Sequence, residues 1–374
     1  MKVLVTGANG FIGQNLQMHL QEKGGFDVVP FTREHTEQDL PGLLEGVGWV
    51  VHLAGINRPQ DPAEFSTGNA GLTQALCHAV QASGRKIPVT YSSSIQAERD
   101  NDYGTSKREA EEALLALNQN TGSPVYIYRL PNVFGKWARP NYNSAVATFC
   151  HNVARDLPVQ INDPDAVISL VYVDDVIASF MALLGGEPLA GPYVDVTPVY
   201  QIAVGELASQ LNRFKATRDN LVTEPVGTGL TRALYSTYVS YLPPESFTYI
   251  VPQHGDERGV FVEMLKTQDA GQFSFFTAHP GVTRGGHYHH SKTEKFLVIK
   301  GKACFRFRHM LTGEFYELFT EGTTPEIVET VPGWTHDITN VGEDELVCML
   351  WANEIFDRDN PDTFSEPVLN PPKK

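Results

Sequence analysis

An apolar run at 3–5 leads into a glycine-punctuated turn, Gly7-Ala8-Asn9-Gly10-Phe11-Ile12-Gly13, and then into an amphipathic stretch carrying Leu16 and Leu20. Strand, tight turn and helix in that order point to a parallel α/β fold, because a buried parallel strand needs a crossover helix to reach its neighbour. Backbone N–H groups in such a turn, together with the positive end of the helix dipole, can hold a pyrophosphate, and glycine permits both the turn and the close approach. A ligand-free βα connection is the plainer use of the same residues. The strand–turn–helix setting at the start of the chain favours dinucleotide binding, which makes Gly7, Asn9, Gly10, Phe11, Ile12 and Gly13 candidate cofactor contacts.

The alternation continues. Further β-type runs fall at 26–31, 49–53, 88–91 and 125–128, separated by helix-like segments near 65–83 and 105–118, the pattern of a doubly wound parallel sheet. Near Leu234 the character changes. Pro243-Pro244 and then Gly255, Gly259, Gly271, Gly281 and Gly301 punctuate short β-rich runs such as 261–265 and 296–299, which predicts an antiparallel barrel or sandwich. With 374 residues there is material for two cores, and the expected domains are 1–245 and 246–374.

A formal charge of −15 disfavours a nucleic-acid or anionic-membrane surface. No apolar window is long enough for a signal sequence or a membrane span. Cys77, Cys150, Cys304 and Cys348 are scattered without a CxxC pair, as expected of free thiols in a reducing cytoplasm.

Two features of the first half carry chemistry. NAD enzymes place a carboxylate at the end of the second strand to bond the ribose hydroxyls. Here the chain reads Phe31-Thr32-Arg33, and a planar cation suits a 2′-phosphate, so NADP(H) is the expected cofactor. Further on, Tyr103 and Lys107 stand four residues apart, on one helix face. A neighbouring cation favours a phenolate, so Tyr103 can exchange a proton with a carbonyl or alcohol oxygen while a nicotinamide exchanges hydride. The serines 92–94, just past the run at 88–91, can bond the same oxygen.

These residues resemble the extended short-chain dehydrogenase/reductase family, which includes sugar-nucleotide epimerases and dehydratases. The likeness spans roughly residues 1–240 and extends to His52-Leu53-Ala54-Gly55, Asn69, Arg129 through Gly135, and Tyr172-Val173-Asp174-Asp175. It implies Ser94, Tyr103 and Lys107 as the catalytic triad and Asn69 as its supporting asparagine. It also implies cofactor contacts at Asp39 and Leu40 on the adenine side, at Leu53 and Ala54, and at Pro131 and Asn132 beside the nicotinamide. This half is shorter than many extended members, so substrate contacts do not transfer from the resemblance.

In the second half, His287 and His289 alternate along a β-type run and so share a face, with Glu294 and His336 available to complete a metal set. Imidazoles and a carboxylate suit Zn, Ni, Fe or Mn alike. The glycine, HxH, glutamate and glycine of 281–301 resemble the first cupin motif, and Gly333 to Asn340 resembles the second, apart from Pro332 standing directly before Gly333 where a one-residue gap is usual. The resemblance implies a cupin barrel holding a divalent metal, zinc foremost, through His287, His289, Glu294 and His336, with His290 on the opposite face. Segments 255–263 and 284–288 are also similar to the metal-free dTDP-sugar 3,5-epimerases, in which the histidine at the His287 position is a general base. A ligating imidazole has no lone pair left to take a proton, and the companion donors favour ligation.

With the stretches 92–96, 128–136, 140–144 and 234–238 added, the whole chain resembles the CapF-type bifunctional enzymes of bacterial capsule and O-antigen synthesis. The resemblance implies a UDP-linked 4-keto-6-deoxy-N-acetylhexosamine substrate, C3 epimerisation by the cupin, NADPH-dependent C4 reduction by the first domain, and a homodimer. The competing expectations are a single-activity reductase with a binding or dimerising cupin, and a regulatory NADP(H)-binding module without turnover.

Overall fold

The computed structural model describes residues 1–369 apart from 60, 62, 187–190, 253, 257–258, 262–263, 268–270, 355–356 and 358. The chain forms two compact units, one of residues 1–134, 141–144 and 168–202, the other of 135–140, 145–167 and 203–374.

The first unit is built on five parallel strands: β1 (Lys2–Thr6), β2 (Asp27–Phe31), β3 (Trp49–His52), β4 (Val89–Ser94) and β5 (Val125–Leu130). They are ordered β2-β1-β3-β4-β5. The order reverses beside β1, and in open α/β sheets ligands bind at the carboxyl ends of the strands that flank such a switch. Here those ends are Thr6 and His52, paired in register. Val3, Leu4, Val5, Val50 and Val51 are fully buried, as expected where helices cover both faces of a parallel sheet. The helix α1 (Phe11–Lys23) starts after Gly10 in an extended conformation and stops at Gly24, whose φ of 69° an L side chain adopts only under strain. The helix Asp102–Thr121 is capped at its start by the Asn101 side chain, which accepts from Gly104 N–H at 2.8 Å, and ends at Gly122 in the left-handed region.

The second unit carries two antiparallel five-stranded sheets. One runs Thr248–Ile250, Glu326–Glu329, Glu294–Lys300, Leu346–Ala352, Gln272–Ala278; the other runs Phe315–Glu321, Lys302–His309, Trp334–Asn340, Thr283–Tyr288, Phe364–Ser365. Phe296, Phe305, Phe307 and Ile338 are buried, and ring contacts join Phe296 to Phe305 and Phe247 to Phe307.

The helices Val204–Asn220 and Gly229–Ser240 belong to this second unit. The change in composition near Leu234 therefore falls inside a helix. Buried charge ties these helices to the sheets: the Glu329 carboxylate accepts from Lys295, from Arg218 and, at 3.3 Å, from the Tyr235 hydroxyl. Burial alone would raise the Glu329 carboxyl, but Lys295 and Arg218 hold it below its ordinary value. Removing one member of a buried ion pair leaves the other uncompensated. Glu329→Gln is expected to lose about 3 kcal/mol of stability, measured as a lower urea midpoint with an unchanged slope.

Candidate functional site

The glycine turn sits at the switch point. Gly7 has a φ of 66°, and a Cβ there would meet Ala54 N at 2.7 Å and the Leu53 carbonyl carbon at 2.9 Å. A Cβ on Gly13 would meet Gly7 O at 2.4 Å. Both glycines are thus demanded by close approach, Gly7 of the turn to the end of β3 and Gly13 of α1 to the turn itself. Asn9 and Gly10 are exposed at the tip, Phe11 and Ile12 half-buried behind them.

Beneath the turn runs a hydrogen-bond chain whose direction can be worked out. The Thr73 hydroxyl donates to Asn69 O at 2.7 Å, so at 2.9 Å it accepts from His52 Nε2–H. His52 Nδ1 is then the acceptor and takes the Thr6 hydroxyl proton at 2.6 Å. This leaves the Thr6 oxygen to accept Leu53 N–H and Ala54 N–H, both at 3.1 Å. Burial, helped by the Lys107 charge, pushes His52 down to about 3, which keeps the ring neutral and the chain intact. Asn69 lies in the π-helical segment Ser66–Gly71. Its side-chain oxygen accepts Ile56 N–H at 2.8 Å and its amide donates to Ile56 O at 2.9 Å and to Ser106 Oγ at 3.0 Å. It therefore braces the loop after β3 against the Tyr103 helix.

Tyr103 and Lys107 occupy the first turns of that helix, and Ser94 ends β4. The Lys107 ammonium donates to Ser92 O at 2.9 Å and stands 4.8 Å from the centre of the Tyr91 ring. Burial lowers it to about 8, against the pull of Glu111. Burial also raises the Tyr103 phenol, opposed by its hydrogen bond with Ser94. The shift thus runs opposite to the lowering that the Tyr103/Lys107 spacing leads one to expect. Gly55 opens room at this point, since a Cβ there would come within 3.4 Å of Lys107 Nζ.

The remaining cofactor candidates follow β2 and β5. Arg33 is exposed just past β2. The Asp39 carboxylate accepts from Thr36 N–H at 2.7 Å and from the Thr36 hydroxyl at 3.0 Å, while Leu40 is buried in the core cluster with Phe31 and Leu44. Pro131 follows β5, and Asn132 donates from its side chain to Ser169 O at 3.0 Å.

In the second unit, His287, His289, Glu294 and His336 each offer one donor atom, and these atoms all lie within 4.8 Å of one another. His289 lies just beyond the strand Thr283–Tyr288, yet its ring is 5.0 Å from that of His287. An irregularity between Gly285 and His287 sets His287 opposite His336. Glu294 Oε2 is 3.2 Å from His289 Nε2 and 3.5 Å from His336 Nε2. Burial and the neighbouring imidazoles push His287 down to about 3. Burial works to raise Glu294, but His289 and His336 hold it well below the carboxylate range. His290 lies outside this cluster, its ring 5.6 Å from Tyr288 and 5.1 Å from Phe364. Of the stretch 255–263, Glu257, Arg258, Val262 and Glu263 fall outside the described residues.

Residues 3–191, just over half of the chain, match the NAD dependent epimerase/dehydratase family. The chain belongs to this family. Residues 254–364 of this epimerase/dehydratase also match a polysaccharide biosynthesis C-terminal domain. Across 98% of both chains it is 66% identical to a UDP-2-acetamido-2,6-beta-L-arabino-hexul-4-ose reductase of Pseudomonas aeruginosa. The crystal structure of the capsular polysaccharide assembling protein CapF of Staphylococcus aureus superposes with a TM-score of 0.68 at 39% identity, covering 98% of this chain and 100% of that one. A UDP-glucuronic acid 4-epimerase of Bacillus cereus in complex with NAD shares the fold of the first part, with a TM-score of 0.53 at 23% identity over 58% of this chain and 84% of that one.

The histidine cluster of this epimerase/dehydratase chain fits a divalent ion. His336 Nε2 is buried with no closer polar neighbour than Glu294 Oε2 at 3.5 Å, an expensive condition for a polar atom that an ion bound at that nitrogen would relieve. Donors around a tetrahedral zinc stand roughly 3.3 Å apart, close to the two Glu294 separations. The sequence alone does not point to the supports of the first site. Glu111, buried, accepts from Arg129 and, at 2.5 Å, from Ser93. Thr6 and Thr73 carry the chain that orders the loop after β3. Only the tertiary fold brings these residues to their partners, and no local spacing announces them.

Proposed function

We propose that this chain is a nucleotide-sugar 4-keto reductase of polysaccharide synthesis that also epimerises its substrate. In this reading residues 1–245 bind NADP(H) and reduce, and residues 246–374 form a metal-binding cupin that inverts C3 of a UDP-linked 2-acetamido-2,6-dideoxy-4-hexulose. The observation that carries it is the 66% identity, over nearly the whole length, to a reductase named for a UDP-linked hexul-4-ose. Ser94 at the carboxyl end of β4, with Tyr103 and Lys107 in the first turns of the helix Asp102–Thr121, supports the reduction, and the buried His/Glu cluster supports the epimerisation. The protein acts as a homodimer in the cytoplasm; among the described residues no helix is long and apolar enough to cross a membrane.

When bound, NADPH supplies a hydride, and a divalent ion held by His287, His289, Glu294 and His336 supplies a positive charge beside a keto oxygen. The chain's own groups do the rest. Tyr103 gives its phenolic proton to the C4 oxygen as that carbon becomes an alcohol carbon, and the Ser94 hydroxyl orients the phenol. The Lys107 ammonium stabilises the phenolate that remains. Asn69 and the Thr6–His52–Thr73 chain hold the loop on which the site rests. Epimerisation precedes reduction, because only the ketone acidifies the C3 proton.

NMR of the UDP-4-keto sugar in heavy water tests both activities. Deuterium should enter C3 without NADPH, and the C4 alcohol should form only with it. Failure of the first with success of the second would leave a single-activity reductase. Arg33→Ala should weaken NADPH roughly tenfold or more, the worth of one charge-assisted hydrogen bond, and leave NADH unchanged. Equal loss for both cofactors in a fluorescence titration would remove the 2′-phosphate role from Arg33.

A further inference from the structure

His289 in the cluster has its second ring nitrogen occupied. Its Nδ1 donates to the main-chain carbonyl of Asp362, so Nε2 is the nitrogen left facing Glu294. The position of that carbonyl is itself determined by the Asp362 side chain. Its carboxylate accepts three successive backbone N–H groups, of His290 at 2.8 Å and of Ser291 and Lys292 at 2.7 Å each, and the Ser291 hydroxyl at 3.0 Å. A carboxylate seated in consecutive amides is a strongly held group.

The segment on either side is fastened independently. Phe364 and Ser365 pair antiparallel with Tyr288 and His287, and Glu366 N–H donates to Gly286 O at 2.8 Å. The buried Arg308 donates to Val368 O at 2.9 Å, to Pro367 O at 2.8 Å and to the Glu366 carboxylate at 2.9 Å. One segment near the end of the chain thus grips the backbone on both sides of His287 and His289.

We propose that Asp362 is a positioning residue of the histidine cluster: its carboxylate, locked in the amides of residues 290–292, holds the carbonyl that orients His289 for metal binding. This rests on the metal-binding reading above. The partner on the far nitrogen of a ligating histidine sets its tautomer and ring orientation, and loss of such a partner costs about 10–100-fold in metal affinity. The arrangement also explains why His289 can lie beyond the end of its strand and still face the cluster.

The test is zinc affinity of the full-length protein by competition with a chromophoric chelator, for wild type, Asp362→Ala and Asp362→Asn. Asp362→Ala should bind zinc about 10–100-fold more weakly. Asp362→Asn keeps one oxygen acceptor but turns an NH2 group toward an N–H donor, and should fall between. Should Asp362→Ala not fold, the Asn variant carries the comparison. NADPH-dependent reduction of a 4-keto sugar already epimerised should be unchanged in both variants, which a general loss of structure would not allow. Wild type without zinc affinity would overturn the metal reading and this proposal together. Wild-type binding matched by the folded variants would overturn this proposal alone, as would a parallel loss of reductase activity.

Discussion

Tyr103→Phe is expected to cut NADPH oxidation by about 10³-fold, within the range for losing a positioned general acid, while deuterium still enters C3 of the 4-keto sugar at the wild-type rate. The substitution removes one hydroxyl. It spares the packing of the ring, which stands 5.6 Å from Phe65, so the unfolding midpoint should barely move. The split between the two readouts is the informative part. Reduction consumes the phenolic proton at C4, whereas epimerisation removes and returns a proton at C3. Loss of both in stopped-flow and NMR assays would mean that one site serves both steps.

The reciprocal change is His336→Ala. C3 exchange should fall by about 10³-fold, equivalent to roughly 4 kcal/mol of lost charge stabilisation, and reduction of pre-epimerised substrate should persist. Chelation of the wild-type protein should reproduce the loss, and added zinc should reverse it. A ligand that binds only the folded state stabilises it by about 2.7 kcal/mol at a hundredfold excess over Kd, so the chelated protein should also melt earlier. Unchanged exchange in the chelated protein would return His287 to the role of a general base.

What the sequence made legible was local. The glycine turn, the Tyr103/Lys107 pair and the HxH spacing each place chemical groups by short-range geometry; the structure packs the turn against the end of β3, puts Tyr103 and Lys107 in the first turns of one helix and gathers the His/Glu donors. The strand order around the switch point and the pairing of the second-half sheets come from long-range contacts, for which single-chain periodicity carries no register. Asn69 illustrates the limit: its place in the chain identified it, but not the π-helical turn that lets it bridge Ile56 and Ser106. Leu234 illustrates another. The change of character near it falls within the helix Gly229–Ser240, where Tyr235 and Tyr238 are buried, so composition does not mark where that element ends. Asp362 had no signature at all, since its partners lie about seventy residues away.

The chain passes repeatedly between its two compact units before settling in the second at residue 203. No single backbone cleavage can therefore release either unit whole: a cut at residue 245 would part 135–140, 145–167 and the helices to 240 from the rest of the second unit. Limited proteolysis should yield fragments that stay associated.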